Sequence, residues 1–273
     1  DTFTIGRLLG AQALGVYSIA YEIASLVTTE LIGPIRQALL PGYSKLAHDP
    51  ELIRKGYLDG FALIVLIALP AAVGIGVVAD PLVRLLLGDK WLNAIPLIKI
   101  FMVFGIFSTI VANARSVFLA LGRPAINMTL GLVTLVILVP AVLIGSNLWS
   151  LPGVAWAVTF GEGIMLIMVI VTVKRLLEIR SSLLASNLWR PVFAASTMAT
   201  AVIGFRGVQS FGNGAPSLFA QLAGSVVLGA LVYISVVWVL WRVSGMPDGT
   251  AERHLIDTVM PKIRKYILLM TRV

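Results

Sequence analysis

Two long stretches of the chain contain no charged side chain. One runs from Arg123 to Glu162 and the other from Arg206 to Arg242. Each stretch is about twice the length that one helix needs to cross a bilayer, since a helix of ~20 apolar residues spans the hydrocarbon core. Each stretch therefore predicts two membrane-spanning helices joined by a turn.

Apolar runs separated by turn-forming residues extend this pattern to the whole chain. Pro41-Gly42 is predicted to end the first run and Gly122-Arg123-Pro124 to join the third to the fourth. Gly145-Ser146-Asn147 with Pro152-Gly153 is predicted to join the fourth to the fifth. The predicted spans are residues 12–40, 58–79, 93–121, 125–145, 151–174, 189–207 and 217–241. The predicted fold class is all-α, a polytopic transmembrane helix bundle of about seven spans plus the remnant of an eighth.

Composition agrees with a membrane protein and excludes several kinds of site. Hydrophobic residues make up 58% of the chain and charged residues 12%, and the mean hydropathy is +0.96, whereas a soluble domain is about a quarter charged. Runs such as 61–79 are apolar on every face, which excludes a β-barrel. The chain has no cysteine, and its two histidines, His48 and His254, lie in charged stretches. We therefore expect no metal ion, no disulfide and no histidine-based catalytic centre.

The basic residues are distributed unequally between alternate loops. Fifteen lysines and arginines fall in one set of alternate segments and four in the other, with Lys99 and Arg115 inside a span. By the positive-inside rule, the first set and the C-terminus are cytoplasmic. The net charge of +8 therefore reflects topology, and we expect no nucleic-acid partner, because a nucleic-acid site needs its cations on one surface.

Two further segments have an interfacial pattern. Residues 80–88 are too short to cross the membrane and contain a proline at a helix-start position, so we expect them to lie along the outer surface. In the tail, apolar residues from Leu255 to Met270 recur at helical spacing beside Lys262, Arg264 and Lys265, which predicts an amphipathic helix on anionic lipid. A simply solvated tail is the alternative.

Polar residues inside the predicted spans are the candidates for function, because a charge at the bilayer centre costs about 2.5–3.5 kcal/mol. In the first span they follow one helix face, and in the third and fifth spans they accompany a charged residue. Arg115 lies about 12 Å before Arg123 at 1.5 Å per residue, which is deep for a side chain that reaches the interface. The candidate cavity-lining residues are Ser18, Glu22, Ser25, Thr29, Lys99, Asn113, Arg115, Thr159 and Glu162.

Two interpretations of these residues remain open. Polar faces on several helices favour a hydrated cleft of the kind that a transporter of a polar solute needs. Alternatively, Glu22, Arg115 and Glu162 form buried ion pairs that hold the bundle together. Gly161 and Gly163 flank Glu162 and would allow a neighbouring helix to approach closely.

Several sequence blocks resemble bacterial polysaccharide transporters, the O-antigen and exopolysaccharide flippases of the MATE-like superfamily. Residues 1–11 (DTFTIGRLLGA) and 13–21 (ALGVYSIAY) are similar to the repeat-start signature of that family. Residues 40–46 (LPGYSKL), 85–91 (LLLGDKW) and 120–124 (ALGRP) follow in the family's order. The resemblance covers about residues 1–180.

The resemblance implies a transporter in the bacterial inner membrane that moves an undecaprenyl-pyrophosphate-linked oligosaccharide to the outer leaflet, and not an enzyme. It implies two six-helix lobes, of which residues 1–180 would form the C-terminal one with its first helix truncated. Residues 181–241 would be an extra helix pair and 242–273 a cytoplasmic tail. The N-terminal lobe, the membrane lipids and a polysaccharide polymerase with its export machinery are the implied partners.

Residue roles follow as expectations. Arg115 and Lys99 would bind the pyrophosphate, and Glu22 or Glu162 would bind a coupling proton or sodium ion, with no other cofactor. Two other functions are considered. A multidrug exporter of the same superfamily would need a smaller cavity with a carboxylate near its substrate. A membrane glycosyltransferase, polymerase or ligase would need a large outer loop or an acidic catalytic pair, whereas the outer loops are short and carry only Asp80 and Asp89.

Overall fold

The computed structural model describes residues 5–7, 9–208 and 214–245, and none of these lies in a strand. Residues 246–273, with most of the predicted amphipathic tail, lie outside the described residues, as do residues 1–4, 8 and 209–213. The helices are α1 (Gly10–Leu26), α2 (Ile32–Leu46), α3 (Pro50–Val77), α4 (Ala79–Leu86), α5 (Ala94–Ala120), α6 (Pro124–Leu176), α7 (Ser181–Val208) and α8 (Ala215–Val243). A π-helical turn, Val27–Leu31, connects α1 to α2, and a short 3₁₀ turn, Asp89–Trp91, precedes α5.

In the part of the chain that the structure describes, five helices, α3 and α5 to α8, are long and apolar enough to cross a membrane. This confirms the predicted all-α membrane fold class. The first predicted span, 12–40, is not one regular α-helix: it runs through α1, the π-turn and α2. Neither α1 nor α2 alone reaches the ~20 residues that cross a bilayer.

The charge-free stretch after Arg123 folds as the predicted hairpin. The backbone of α6 leaves helical geometry at Trp149 and Ser150, which divides it into α6a (residues 124–148) and α6b (residues 151–176). At the tip the two halves meet backbone to backbone, because a Cβ at Gly145 would lie 2.5 Å from the Gly153 carbonyl oxygen. The absence of both side chains is what permits this contact.

One predicted helix end is wrong. The helix does not stop at Pro41-Gly42 but continues through both residues to Leu46. An internal proline costs about 3 kcal/mol in a helix. Tertiary packing offsets this cost: Tyr43 is 1% exposed in the core and its hydroxyl donates to Asn113 Oδ1 at 3.0 Å.

Helix α5 lies at the centre of the bundle and packs against α1, α2, α3 and α6. The two largest apolar cores meet along it, one containing Phe118 with Tyr57 and Phe61, the other containing Phe101 with Tyr17. Because four helices pack around α5, a polar side chain of α5 that is still exposed lies in a space between two of these helices.

Helices α7 and α8 form a pair attached to α3. The Tyr233 hydroxyl donates to the Leu66 carbonyl at 2.8 Å, and Arg206 Nη1 donates to the Val77 carbonyl at 2.6 Å. The division into a lobe, residues 1–180, and an added pair stays a prediction, as does the surface position of α4.

Candidate functional site

The polar residues of α1 occupy its exposed face. Ser18, Glu22 and Thr29 are exposed and Ser25 is half-buried. The Ser25 hydroxyl donates to the Glu22 carbonyl at 2.9 Å, and the Thr29 hydroxyl donates to the Ser25 carbonyl at 3.1 Å. The Glu22 carboxylate forms no salt bridge in the part of the chain that the structure describes. The α1 face therefore presents an uncompensated carboxylate and two hydroxyls outward.

The π-turn fixes where this face lies relative to α5. Thr28 Oγ1 lies 3.2 Å from Thr109 Oγ1, and a Cβ at Gly105 would lie 3.3 Å from the Ala24 carbonyl oxygen. The small residue and the paired hydroxyls hold α1 against α5 at this level. π-helical turns inside α-helices occur frequently at functional sites.

A second polar group lies where α6b faces α5. The half-buried Glu162 carboxylate interacts electrostatically with Arg115 and is influenced by the Ser108 side chain, both on α5. Tyr21 of α1 also interacts electrostatically with Glu162. These four residues bring α1, α5 and α6b to one place, which we call the polar groove (Tyr21, Ser108, Arg115 and Glu162).

Gly161 and Gly163 allow neighbouring helices to pack closely beside Glu162, as the sequence predicted. A Cβ at Gly163 would lie 3.3 Å from Phe107 Cε2, so α5 and α6b are in contact there. A Cβ at Gly161 would lie 3.0 Å from Leu138 Cδ1 of α6a. Glu162 is thus flanked by one contact to each neighbouring helix, and its side chain is directed into the space between them.

Arg115 is the exposed cation of the groove. It is seven residues, about 10 Å, from Ser108 and five residues, about 8 Å, from the end of α5. Its side chain forms no salt bridge within the described ranges. Glu162 interacts electrostatically with Arg115, but no Glu162 oxygen lies within 4.0 Å of an Arg115 nitrogen. The Arg115 side chain is therefore available to an anionic ligand.

Lys99 does not join the groove. It is exposed on α5, and sixteen residues separate it from Arg115, which is roughly 24 Å along the helix and 160° around it. One small anionic group cannot contact both side chains on this helix. The structure therefore does not bring together the two cations that were expected to share the pyrophosphate.

Asn113 and Thr159 are buried rather than cavity-lining in the described chain. Asn113 is 0% exposed and accepts the Tyr43 hydrogen bond, which ties α2 to α5. Thr159 is 3% exposed, and its hydroxyl donates to the Ala155 carbonyl at 2.8 Å within its own helix. Both act as internal polar contacts of the bundle.

The sequence pattern missed Tyr21. An aromatic residue next to Glu22 on an apolar helix is indistinguishable by pattern from a packing residue, and Tyr21 does pack, with its ring centroid 5.5 Å from that of Phe101. Among residues 5–7, 9–208 and 214–245, no cluster of three or more histidine or acidic side chains is placed to hold a metal ion.

Comparison with known proteins shows that the chain is similar to polysaccharide biosynthesis proteins. A family model described as polysaccharide biosynthesis protein matches residues 1–96. The teichuronic acid biosynthesis protein TuaB of Bacillus subtilis is 31% identical over 123 residues, which are 45% of this chain and 26% of that protein. The lipopolysaccharide biosynthesis protein WzxC of Escherichia coli is 26% identical over 200 residues, 71% of this chain and 39% of that protein.

The resemblance to bacterial polysaccharide transporters is confirmed. The succinoglycan biosynthesis transport protein ExoT of Rhizobium meliloti extends the similarity to 96% of the chain, at 23% identity over 280 residues, and to 51% of its own length. The chain thus spans from about a quarter to about half the length of these relatives.

The fold agrees with that relationship. The lipid II flippase MurJ, in an inward closed conformation, superposes with a TM-score of 0.66 over 88% of this chain and 52% of its own, at 12% identity. The chain therefore has the fold of about half of a MurJ-like flippase. Together with the apolar helices, this makes the protein a multi-pass α-helical membrane protein.

Proposed function

We propose that the protein containing this chain is a non-enzymatic flippase that moves a lipid-linked oligosaccharide across the bacterial inner membrane for lipopolysaccharide or exopolysaccharide synthesis. The substrate would be carried on undecaprenyl pyrophosphate. The names of TuaB, WzxC and ExoT support polysaccharide synthesis and transport, and the MurJ-like fold supports a flippase.

The polar groove is the observation that carries the proposal. It places an unpaired, exposed arginine beside a half-buried carboxylate between membrane-spanning helices. Exposing such charges to lipid is costly, so the groove is expected to face water or a charged ligand. In a bundle with a second lobe, the groove and the exposed face of α1 would line the substrate cavity, with Arg115 binding the pyrophosphate.

The proposal extends to the orientation of the chain in the membrane and to the driving ion. Positive-inside counting supports a cytoplasmic C-terminus. The carboxylates of Glu162 and Glu22 are the candidates for binding a coupling proton or sodium ion, with Glu162 favoured because it interacts electrostatically with Arg115. The N-terminal lobe would complete the cavity, and polymerase and export machinery would take up the product.

The test replaces each of two basic residues of α5 by alanine in the full-length gene and measures surface polysaccharide. Arg115→Ala is expected to lower surface polysaccharide at least about tenfold, because a charge-assisted contact is worth ~1.5–3 kcal/mol. Lys99→Ala, on the opposite face of the same helix, is the matched control and is expected to leave export unchanged. Normal export by Arg115→Ala at a normal protein level would contradict the role of the groove.

A further inference from the structure

A polar cavity lies at the end of the bundle where most of the basic residues are found, away from the polar groove. Its volume is about 680 Å³, within the range of small-ligand sites. Three connections border it: α2 to α3, α5 to α6, and α6 to α7. Its lining includes Glu51, Arg54, Leu121, Arg123, Leu177 and Glu178.

The depth of this cavity matches lipid headgroups. Helix α5 ends at Ala120 and α6 begins at Pro124, so the apolar spans stop where the cavity begins. Leu121 and Leu177 contribute apolar surface beside the charged residues. A site with apolar walls on the membrane side and charged groups beyond them matches the boundary between acyl chains and headgroups.

One side of the cavity is suited to a phosphate. Arg123 is the N-cap residue of α6, and its side chain makes no capping hydrogen bond. The Ile126 amide donates to the Arg123 carbonyl at 3.2 Å, and the positive end of the α6a dipole favours an anionic group beside Arg123. By contrast, the start of α3 is already satisfied, because Asp49 accepts hydrogen bonds from the amides of Glu51 and Leu52 at 2.8 and 3.1 Å.

The other side is suited to an ammonium group. Glu178 follows the C-terminal end of α6b, where the helix dipole is negative. Neither Glu178 nor Arg123 forms a salt bridge within the ranges that the structure describes. The cavity thus carries a cation at the start of one helix and an anion at the end of its antiparallel partner.

The backbone at Glu178 has a conformation that disfavours any side chain larger than that of glycine. Its φ is +52°, and the Ile179 amide donates to the Lys174 carbonyl at 3.1 Å. This is the helix-ending motif in which glycine is the usual residue, because other side chains are disfavoured at positive φ. Glu178 therefore adopts this conformation at a local cost that glycine would not have.

We infer that this cavity binds the headgroup of a zwitterionic phospholipid, with the phosphate at Arg123 and Arg54 and the primary ammonium at Glu178 and Glu51. An anionic headgroup would satisfy the arginines but leave the two carboxylates facing its negative charge. Phosphatidylethanolamine is therefore preferred over phosphatidylglycerol. The Arg54–Glu51 pair is long, at 3.7 Å, and its Glu51 side chain is 86% exposed, so it opens at little cost to admit the ligand.

Native mass spectrometry of the full-length protein in detergent tests this assignment with dioleoyl phosphatidylethanolamine and dioleoyl phosphatidylglycerol at equal concentrations. The wild-type protein is expected to bind the ethanolamine lipid about tenfold more tightly, the equivalent of one charge-assisted contact. Arg123→Gln is expected to weaken both lipids. Glu178→Gly is expected to abolish the preference, with lipid-free thermal stability equal to or above wild type, because glycine suits the positive φ.

Arg175→Gln, in the last turn of α6 but outside the cavity lining, is the control and should keep the preference. Equal binding of the two lipids by the wild-type protein, or an unchanged preference in Glu178→Gly, would overturn the proposal. The same measurement is repeated with soluble phosphoethanolamine, which has the headgroup without the acyl chains. If it binds as tightly as the lipid, the ligand is a free phosphate compound and the lipid assignment is wrong.

Discussion

The contact at the tip of the α6 hairpin gives a prediction whose size can be worked out from the structure. Gly145→Ala places a Cβ 2.5 Å from the Gly153 carbonyl oxygen and 2.8 Å from its carbonyl carbon. Both atoms belong to backbone, so no side chain can turn away. The two halves of α6 must separate by roughly 1 Å, which corresponds to an overpacking cost of about 1–3 kcal/mol.

Gly131→Ala is the matched control in the same helix half. Nothing lies within 4 Å of a Cβ at Gly131, and replacing an unrestricted helical glycine by alanine gains about 0.5–1 kcal/mol. Thermal unfolding of the full-length protein in lipid nanodiscs should therefore show a lower midpoint for Gly145→Ala and an equal or higher one for Gly131→Ala. Equal midpoints for both variants would refute the backbone contact at the tip.

Two further predictions concern internal hydrogen bonds. Tyr43→Phe is expected to cost about 1 kcal/mol in the free energy of unfolding, because Asn113 is fully buried and its Nδ2 already lacks a partner among the described residues. Polysaccharide export at equal protein level should be unchanged, and a selective loss of export would show that Asn113 serves the substrate. Arg206→Gln removes the bond to the Val77 carbonyl; it should lower the unfolding midpoint and increase proteolysis near α7, and an unchanged cleavage pattern would argue against this attachment.

The hairpin in α6 and the positions of α5, α7 and α8 were predictable because bilayer thickness and the cost of buried charge act on every residue of a span. Charge-free length alone identified α6 as two helices. The end of the first span was not predictable from local signals. Pro41-Gly42 is a turn signal, and only the burial of Tyr43 against α3 and α5 shows why the helix continues.

The site was predicted only in outline. Glu162, Arg115 and the α1 face share the region that polar residues in apolar spans indicated. Burial separated Asn113 and Thr159 from it, since Asn113 Oδ1 and the Thr159 hydroxyl have hydrogen-bond partners within the bundle. Tyr21 was missed because its proximity to Glu162 depends on how α1 and α6b pack around α5, and no spacing along the chain encodes that distance.

In the proposed flippase, the face of α1 and the polar groove border water rather than lipid. The 273-residue chain contains no cysteine, so single-cysteine labelling in a cysteine-free full-length background tests the claim directly. Glu22→Cys is expected to react with a charged, water-soluble maleimide in intact membranes, whereas Val136→Cys, on α6a where the apolar side chain is 73% exposed, is expected to remain unmodified. Labelling of Val136→Cys with no labelling of Glu22→Cys would contradict the account.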